Sequence, residues 1–399
     1  MNFNSSTKIF MAVAATAVLF RIIFVLVTSF QPITNENNYP ASIHHISPSS
    51  DYGHYKAQSV LYFQFGFMEV IRLISKYHYG SDYEVPREVK DIIAPDHLEM
   101  SPPIYPALIW ILDYRPGHTL PMAFLYIALS MGIAVAWLKW LQNNGMPILW
   151  LLAFALLPHP YWFMINCGSD LLFYGIFTLF FLCYFSKLDN NIRIPLSILA
   201  IALAILTRPT GVSLLLFIII GPLFFQILRN KAQRKKILLG LIIVSLPIFW
   251  FFWPYLESVL RGAYRWPFFG IAQPDFIDGI YDDLPIALNM ALSWLSLFGA
   301  KTLYIFGLRP TYGDVSWIVF LARLAPGIPF LAGFLYLMWR GPKLEKILVL
   351  SMLLPLYIGP GQDRYLLPLQ PILFFYAWRL FEHLTSFRGR GNEPADRPI

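Results

Sequence analysis

The chain has 399 residues, 57% of them hydrophobic, 17% aromatic and only 13% charged, with a formal net charge of +7. Soluble domains average about a quarter charged residues, and apolar runs here reach about twenty residues, enough to cross a bilayer, so a soluble globular class is excluded. The positive balance does not mark a nucleic-acid binder, because the basic residues collect in short connections between apolar runs, as cytoplasmic loops do.

The first apolar run, from about Ile9 to Ser29, reads as an uncleaved span: Arg21 interrupts it and no clean small-residue cleavage site follows. An arginine inside a span must face protein or snorkel to a surface. Residues 31–118 form a first external loop with juxtamembrane helices. It opens on an Asn/Pro/Ser-rich stretch and reaches Asp51-Tyr52-Gly53-His54-Tyr55. Apolar Val60, Leu61, Phe63, Phe67, Val70, Ile71 and Ile74 then predict an amphipathic helix over residues 52–77, lying along the membrane face. Ser101-Pro102-Pro103-Ile104-Tyr105-Pro106 leads into a run ending at Leu112 that is too short to cross.

Further spans are predicted at about 119–140, 146–164, 171–186, 193–207, 210–228 and 237–255. The connection from Arg229 to Lys236 is strongly basic and therefore cytoplasmic, which puts the amino terminus inside and the first loop outside. Residues 256–315 form a second external segment, whose apolar stretch from Ile286 to Phe306 is expected to be re-entrant or surface-lying. Spans at about 316–339, 346–359 and 365–384 follow. The expected class is an all-α polytopic membrane protein with about ten transmembrane helices, one domain over residues 1–399. No fixed-period repeat is evident. The two cysteines, Cys167 and Cys183, offer neither a disulfide framework nor a metal spacing.

In this topology the chemically sharp residues fall on one face. Asp51 and His54 follow the first span; Asn166, Ser169 and Asp170 sit between two spans; Thr207-Arg208-Pro209-Thr210-Gly211 makes a turn between two others; Gln362-Asp363-Arg364-Tyr365 opens the last. Ionisable groups near a membrane are expensive, so their delivery to one level by separate segments points to a site. Asp51 is a candidate base at the water–membrane boundary. Pro209 disfavours helical geometry at Arg208, so the helix should break there. The Arg208 guanidinium is a planar fork suited to phosphate, although a helix-end arginine also snorkels to headgroups; Arg364 carries the same two readings, with Asp363 as a neighbouring ion-pair partner. Asp170 stands where a helix cap is wanted. His54 with His44 and His45 matches no strong metal motif, so a divalent metal is not indicated.

These residues resemble, in order, the GT-C class of integral-membrane glycosyltransferases. Asp51 followed by His54-Tyr55 is similar to the Trp-Asp-x-x-His-Phe pattern of the phosphatidylinositol-glycan mannosyltransferase II relatives, with Ser50 in place of the Trp. Pro102-Pro103-Ile104-Tyr105-Pro106 resembles their Pro-Pro-Leu-Tyr-Pro segment. Ser169-Asp170-Leu171-Leu172-Phe173 resembles Ser-Glu-Ser-Leu-Phe, and Thr207-Arg208-Pro209-Thr210-Gly211 their Thr-Arg-Pro/Ser-x-Gly turn. Arg364-Tyr365-Leu366-Leu367-Pro368 resembles the Arg-Tyr-x-x-Pro opening of a late span.

The resemblance implies a GT-C-like bundle and an inverting transfer of a hexose, mannose first among them, from a polyprenyl- or dolichyl-phosphate sugar. The acceptor would be a glycan or glycolipid on the external or lumenal membrane face. In that scheme Asp51 is the general base, Arg208 and Arg364 bind the donor phosphate, Tyr52, Tyr55 and Tyr105 offer stacking faces, and His54 and Asp170 contact substrate. No cofactor is obligatory, and the partners are the lipid donor, the acceptor and membrane lipid, with no nucleic acid. The implied setting is a multi-pass protein of a bacterial inner membrane ahead of an endoplasmic reticulum. The rival readings are a lipid-linked glycan polymerase or ligase, and a transporter or flippase. A transporter is expected to carry inverted repeats and midplane charges, whereas the candidates here lie at span ends.

Overall fold

The computed structural model describes residues 5–29, 51–66, 68–70, 72–73, 87–90, 92, 102–113, 120–157, 160–161, 168–186, 188–219, 298–308, 317–358 and 363–390. Among these residues every regular element is a helix. The main ones in chain order are α1 (Ser5–Ser29), α2 (Asp51–Phe65), α3 (Ile104–Asp113), α4 (Leu120–Asn143), α5 (Ile148–Ala155), α6 (Ser169–Tyr184), α7 (Asn190–Thr207), α8 (Trp317–Arg340), α9 (Lys343–Ile358) and α10 (Gln370–Arg390), with a one-turn helix at Arg87–Lys90, short 3-10 turns at Pro209–Gly211 and Asp363–Leu369, and further short helical stretches. The spans expected at 237–255 and most of the second external segment lie outside the described residues.

Among the described residues three helical stretches are long and apolar enough to cross a bilayer: Thr7–Phe24, Phe124–Asn143 and Asn190–Thr207. Their outer faces fit that role. Leu19, Ile22 and Leu26 on α1, and Ile194 and Ile198 on α7, are large apolar side chains left exposed at helical spacing. Such contiguous apolar surface marks contact with lipid or a partner. The count of about ten spans is not reached by the described helices.

Two expectations are corrected. The predicted span at 146–164 is interrupted: the helix Ile148–Ala155 ends at Leu156, and helical residues are described again at 160–161. Pro158 lacks the N–H group that a continuing helix needs, and it restricts the residue before it. The helix predicted over 52–77 stops at Phe65, and Gly66 takes a left-handed φ of 79°. Helical structure resumes by 68–70. Apolar periodicity runs through this break, which is why the pattern does not show it.

A single apolar core joins α1 and α3–α10, and a small satellite of Leu61, Val70, Leu73 and Val89 lies under α2. Packing is most extensive between α8 and α10 and between α6 and α7. A Cβ at Gly333 of α8 would overlap the Leu373 carbonyl of α10, so this pair crosses backbone to backbone. In a bilayer, where tails are as apolar as Leu, such close approach and interhelical hydrogen bonds hold helices together. Trp137 of α4 supplies one of these bonds, donating its Nε1–H to Thr178 Oγ1 of α6 at 2.9 Å.

Arg21 faces protein, at 3% exposure. Its Nε donates to Ser130 Oγ at 3.0 Å, its Nη1 to the Ala17 carbonyl at 3.0 Å and to the Tyr161 hydroxyl at 3.4 Å, and the guanidinium lies 4.5 Å from the Tyr161 ring centre. Tyr161 in turn donates to the Ala155 carbonyl at the end of α5. One cation thus ties α1 to α4 and to the segment that leads towards α6.

Candidate functional site

The site begins where α7 stops. Thr207 returns its hydroxyl to the Leu203 carbonyl at 2.6 Å. Arg208 is extended, with φ −149° and ψ 147°, as expected for a residue before proline. Its N–H still donates to the Ala204 carbonyl at 2.9 Å, and Gly211 N–H donates back to the Arg208 carbonyl at 2.9 Å. A Cβ at Gly211 would overlap the Ala204 carbonyl, so this turn requires glycine. The chain therefore swings the Arg208 side chain off the helix axis and into the protein.

There it meets the start of α6. Gly168 is the N-cap residue, with no side chain to cap the helix, and its carbonyl accepts the Tyr126 hydroxyl at 2.7 Å. Asp170 lies in the first turn rather than at the cap, where a carboxylate is favoured by the helix dipole. Arg208 Nη1 donates to Asp170 Oδ1. Both residues are buried, Asp170 at 6% and Arg208 at 8% exposure. Desolvating two ions is costly and is offset only by good geometry and further contacts. The further contact here is Tyr365, whose ring centre lies 4.7 Å from the Arg208 guanidinium carbon.

Around the pair is a pocket lined by Asp170, Phe173, Arg208, Thr210, Met352, Leu356, Tyr365 and Pro368. One wall is polar and the rest is apolar. The space left between these side chains admits about one water-sized group. A larger ligand enters only if side chains move aside.

A row of tyrosines continues from the same helix end. Tyr55 of α2 shares a hydrogen bond of 3.2 Å with Ser169, the residue beside Asp170. The Tyr55 ring meets Tyr105 of α3 edge-on at 4.8 Å, and Tyr105 leads on to Tyr126 at 6.4 Å. Asp51 is the first residue of α2, one helical turn before Tyr55.

Of the residues singled out in the sequence, Tyr55, Tyr105, Asp170 and Arg208 come together in this way. The side chains of Asp51, Tyr52, His54 and Arg364 lie outside the described residues, although their backbones belong to α2 and to the 363–369 turn; Asn166 lies wholly outside. Ser169 and Tyr365, named in the sequence with their neighbours but given no role, join the cluster, and Tyr126 is an addition from the structure. Tyr365 and Ser169 sit inside the quoted motifs, whereas Tyr126 is one tyrosine in an apolar span and carries no signal. Among the described residues no group of three His, Cys, Asp or Glu is placed to hold a metal ion.

No family model, no curated protein and no solved structure matches the chain.

Proposed function

We propose that this chain is an inverting glycosyltransferase of the GT-C kind, embedded in a membrane by about ten helices and moving a hexose from a polyprenyl-phosphate sugar to an acceptor hydroxyl at the external face. The observation that carries the reading is the meeting of α2, α3, α6, the end of α7 and the 363–369 turn around the buried Asp170–Arg208 pair. Five segments distant in sequence deliver tyrosines, a cation and a carboxylate to one place, beside a pocket whose remaining walls are apolar. An anionic headgroup on a lipid tail has that duality.

In the proposed reaction Asp51 takes the proton of the acceptor hydroxyl as its oxygen attacks the anomeric carbon. The bond from that carbon to the phosphate oxygen breaks, and the electron pair leaves on the lipid phosphate. Arg208 and Arg364 stabilise the charge that develops there. Tyr55 and Tyr105 border the acceptor side.

The test is Asp51→Asn, assayed for transfer and, separately, for donor binding. Loss of turnover by about 100-fold or more with donor affinity retained is expected of a general base. Turnover like that of the unmodified protein removes Asp51 from the mechanism.

A further inference from the structure

Arg208 does not stand open for an anion. Its guanidinium is already matched by Asp170, so the pair presents no net charge to an incoming phosphate. The transfer reaction changes the charge on the lipid. The donor is a phosphodiester with one negative charge. Cleavage of the anomeric C–O bond leaves its electron pair on the phosphate oxygen, and the resulting monoester carries about −1.5 to −2 at neutral pH. The product therefore feels a nearby fixed carboxylate about one and a half to two times as strongly as the substrate does. Burial of both partners strengthens that discrimination, because the intervening medium screens less than water.

We infer that Asp170 is a specificity-determining residue: it holds back part of the Arg208 charge so that the site accepts a lipid phosphodiester and releases a lipid phosphomonoester. This rests on the proposed glycosyl transfer for its purpose, but its test is a binding measurement that needs no turnover. A cation without the carboxylate would hold the more highly charged product more tightly than the donor and would stall on it. Asp170 fixed in the first turn of α6, with Gly168 held by Tyr126, keeps the carboxylate in place.

The experiment uses the purified full chain in detergent and two probes, farnesyl monophosphate and its methyl diester. In the unmodified protein the diester should bind at least as tightly as the monoester. In Asp170→Asn the ratio should move towards the monoester by about tenfold or more, and in Asp170→Glu, which retains the charge, it should stay near the original. Binding of both probes with the same ratio in Asp170→Asn overturns the inference and leaves the glycosyltransferase reading standing. Binding of neither probe to the unmodified protein overturns both. If Asp170→Asn does not fold, the unmodified protein decides alone: a monoester preference above tenfold refutes the role given to Asp170.

Discussion

Replacing Arg208 with Met removes a cation and leaves the Asp170 carboxylate at 6% exposure with its described partner gone. Breaking a buried pair from one side costs about 3–5 kcal/mol. The first turn of α6 returns up to about 1 kcal/mol through its dipole, so a net loss of roughly 2–4 kcal/mol is expected. Asp170→Leu strands the guanidinium instead, and the Tyr365 ring relieves about 0.5–2 kcal/mol of that. The double variant Asp170→Leu/Arg208→Met buries no charge and should recover most of the stability lost by either single change. Thermal unfolding of the purified protein in detergent, read as the loss of the monodisperse peak after heating, gives the comparison. The singles should melt several degrees low and the double close to the unmodified protein. A double as unstable as the two singles added together would refute the pairing, because the residues would then act independently.

Gly333→Val should abolish folding or cost at least about 2 kcal/mol, since its Cβ overlaps the Leu373 carbonyl at the α8–α10 crossing; yield of monodisperse protein reads it. Tyr55→Phe keeps the edge-on contact with Tyr105 but loses the bond to Ser169, and should cost about 0.5–1.5 kcal/mol by thermal shift. Lys301, in the segment assigned to the second external region, donates to the Tyr357 carbonyl at the end of α9 at 2.8 Å, and burial brings its pKa down to about 8. The unfolded chain then holds more protons between that value and the ordinary 10.5, so stability rises with pH across this window and falls as pH drops towards 8. The melting difference between the unmodified protein and Lys301→Met should show that slope; a flat difference between pH 7.5 and about 10 contradicts it.

The helix ends were the most legible part of the sequence. Pro209 predicts the break at Arg208, and the extended backbone there bears it out. Arg21 in an apolar run must face protein or snorkel to a surface, and it faces protein, where Ser130 and Tyr161 receive it. The break at Gly66 was hidden because apolar residues continue on both sides of it. The pairing of Asp170 with Arg208 was also hidden. Sequence places each at a helix end, but their contact depends on how α6 and α7 pack side by side, which spacing along the chain does not encode. The same holds for Tyr126, which reaches Gly168 only because α4 runs past the start of α6.

Glycosyl transfer itself is read by release of lipid phosphate when the purified protein is incubated with a panel of polyprenyl-phosphate hexoses and glycan or glycolipid acceptors. Glycosyl transfer requires release that depends on both donor and acceptor, and a new glycosidic bond of inverted configuration at the anomeric carbon. Donor left intact across the panel by protein that binds it would contradict glycosyl transfer.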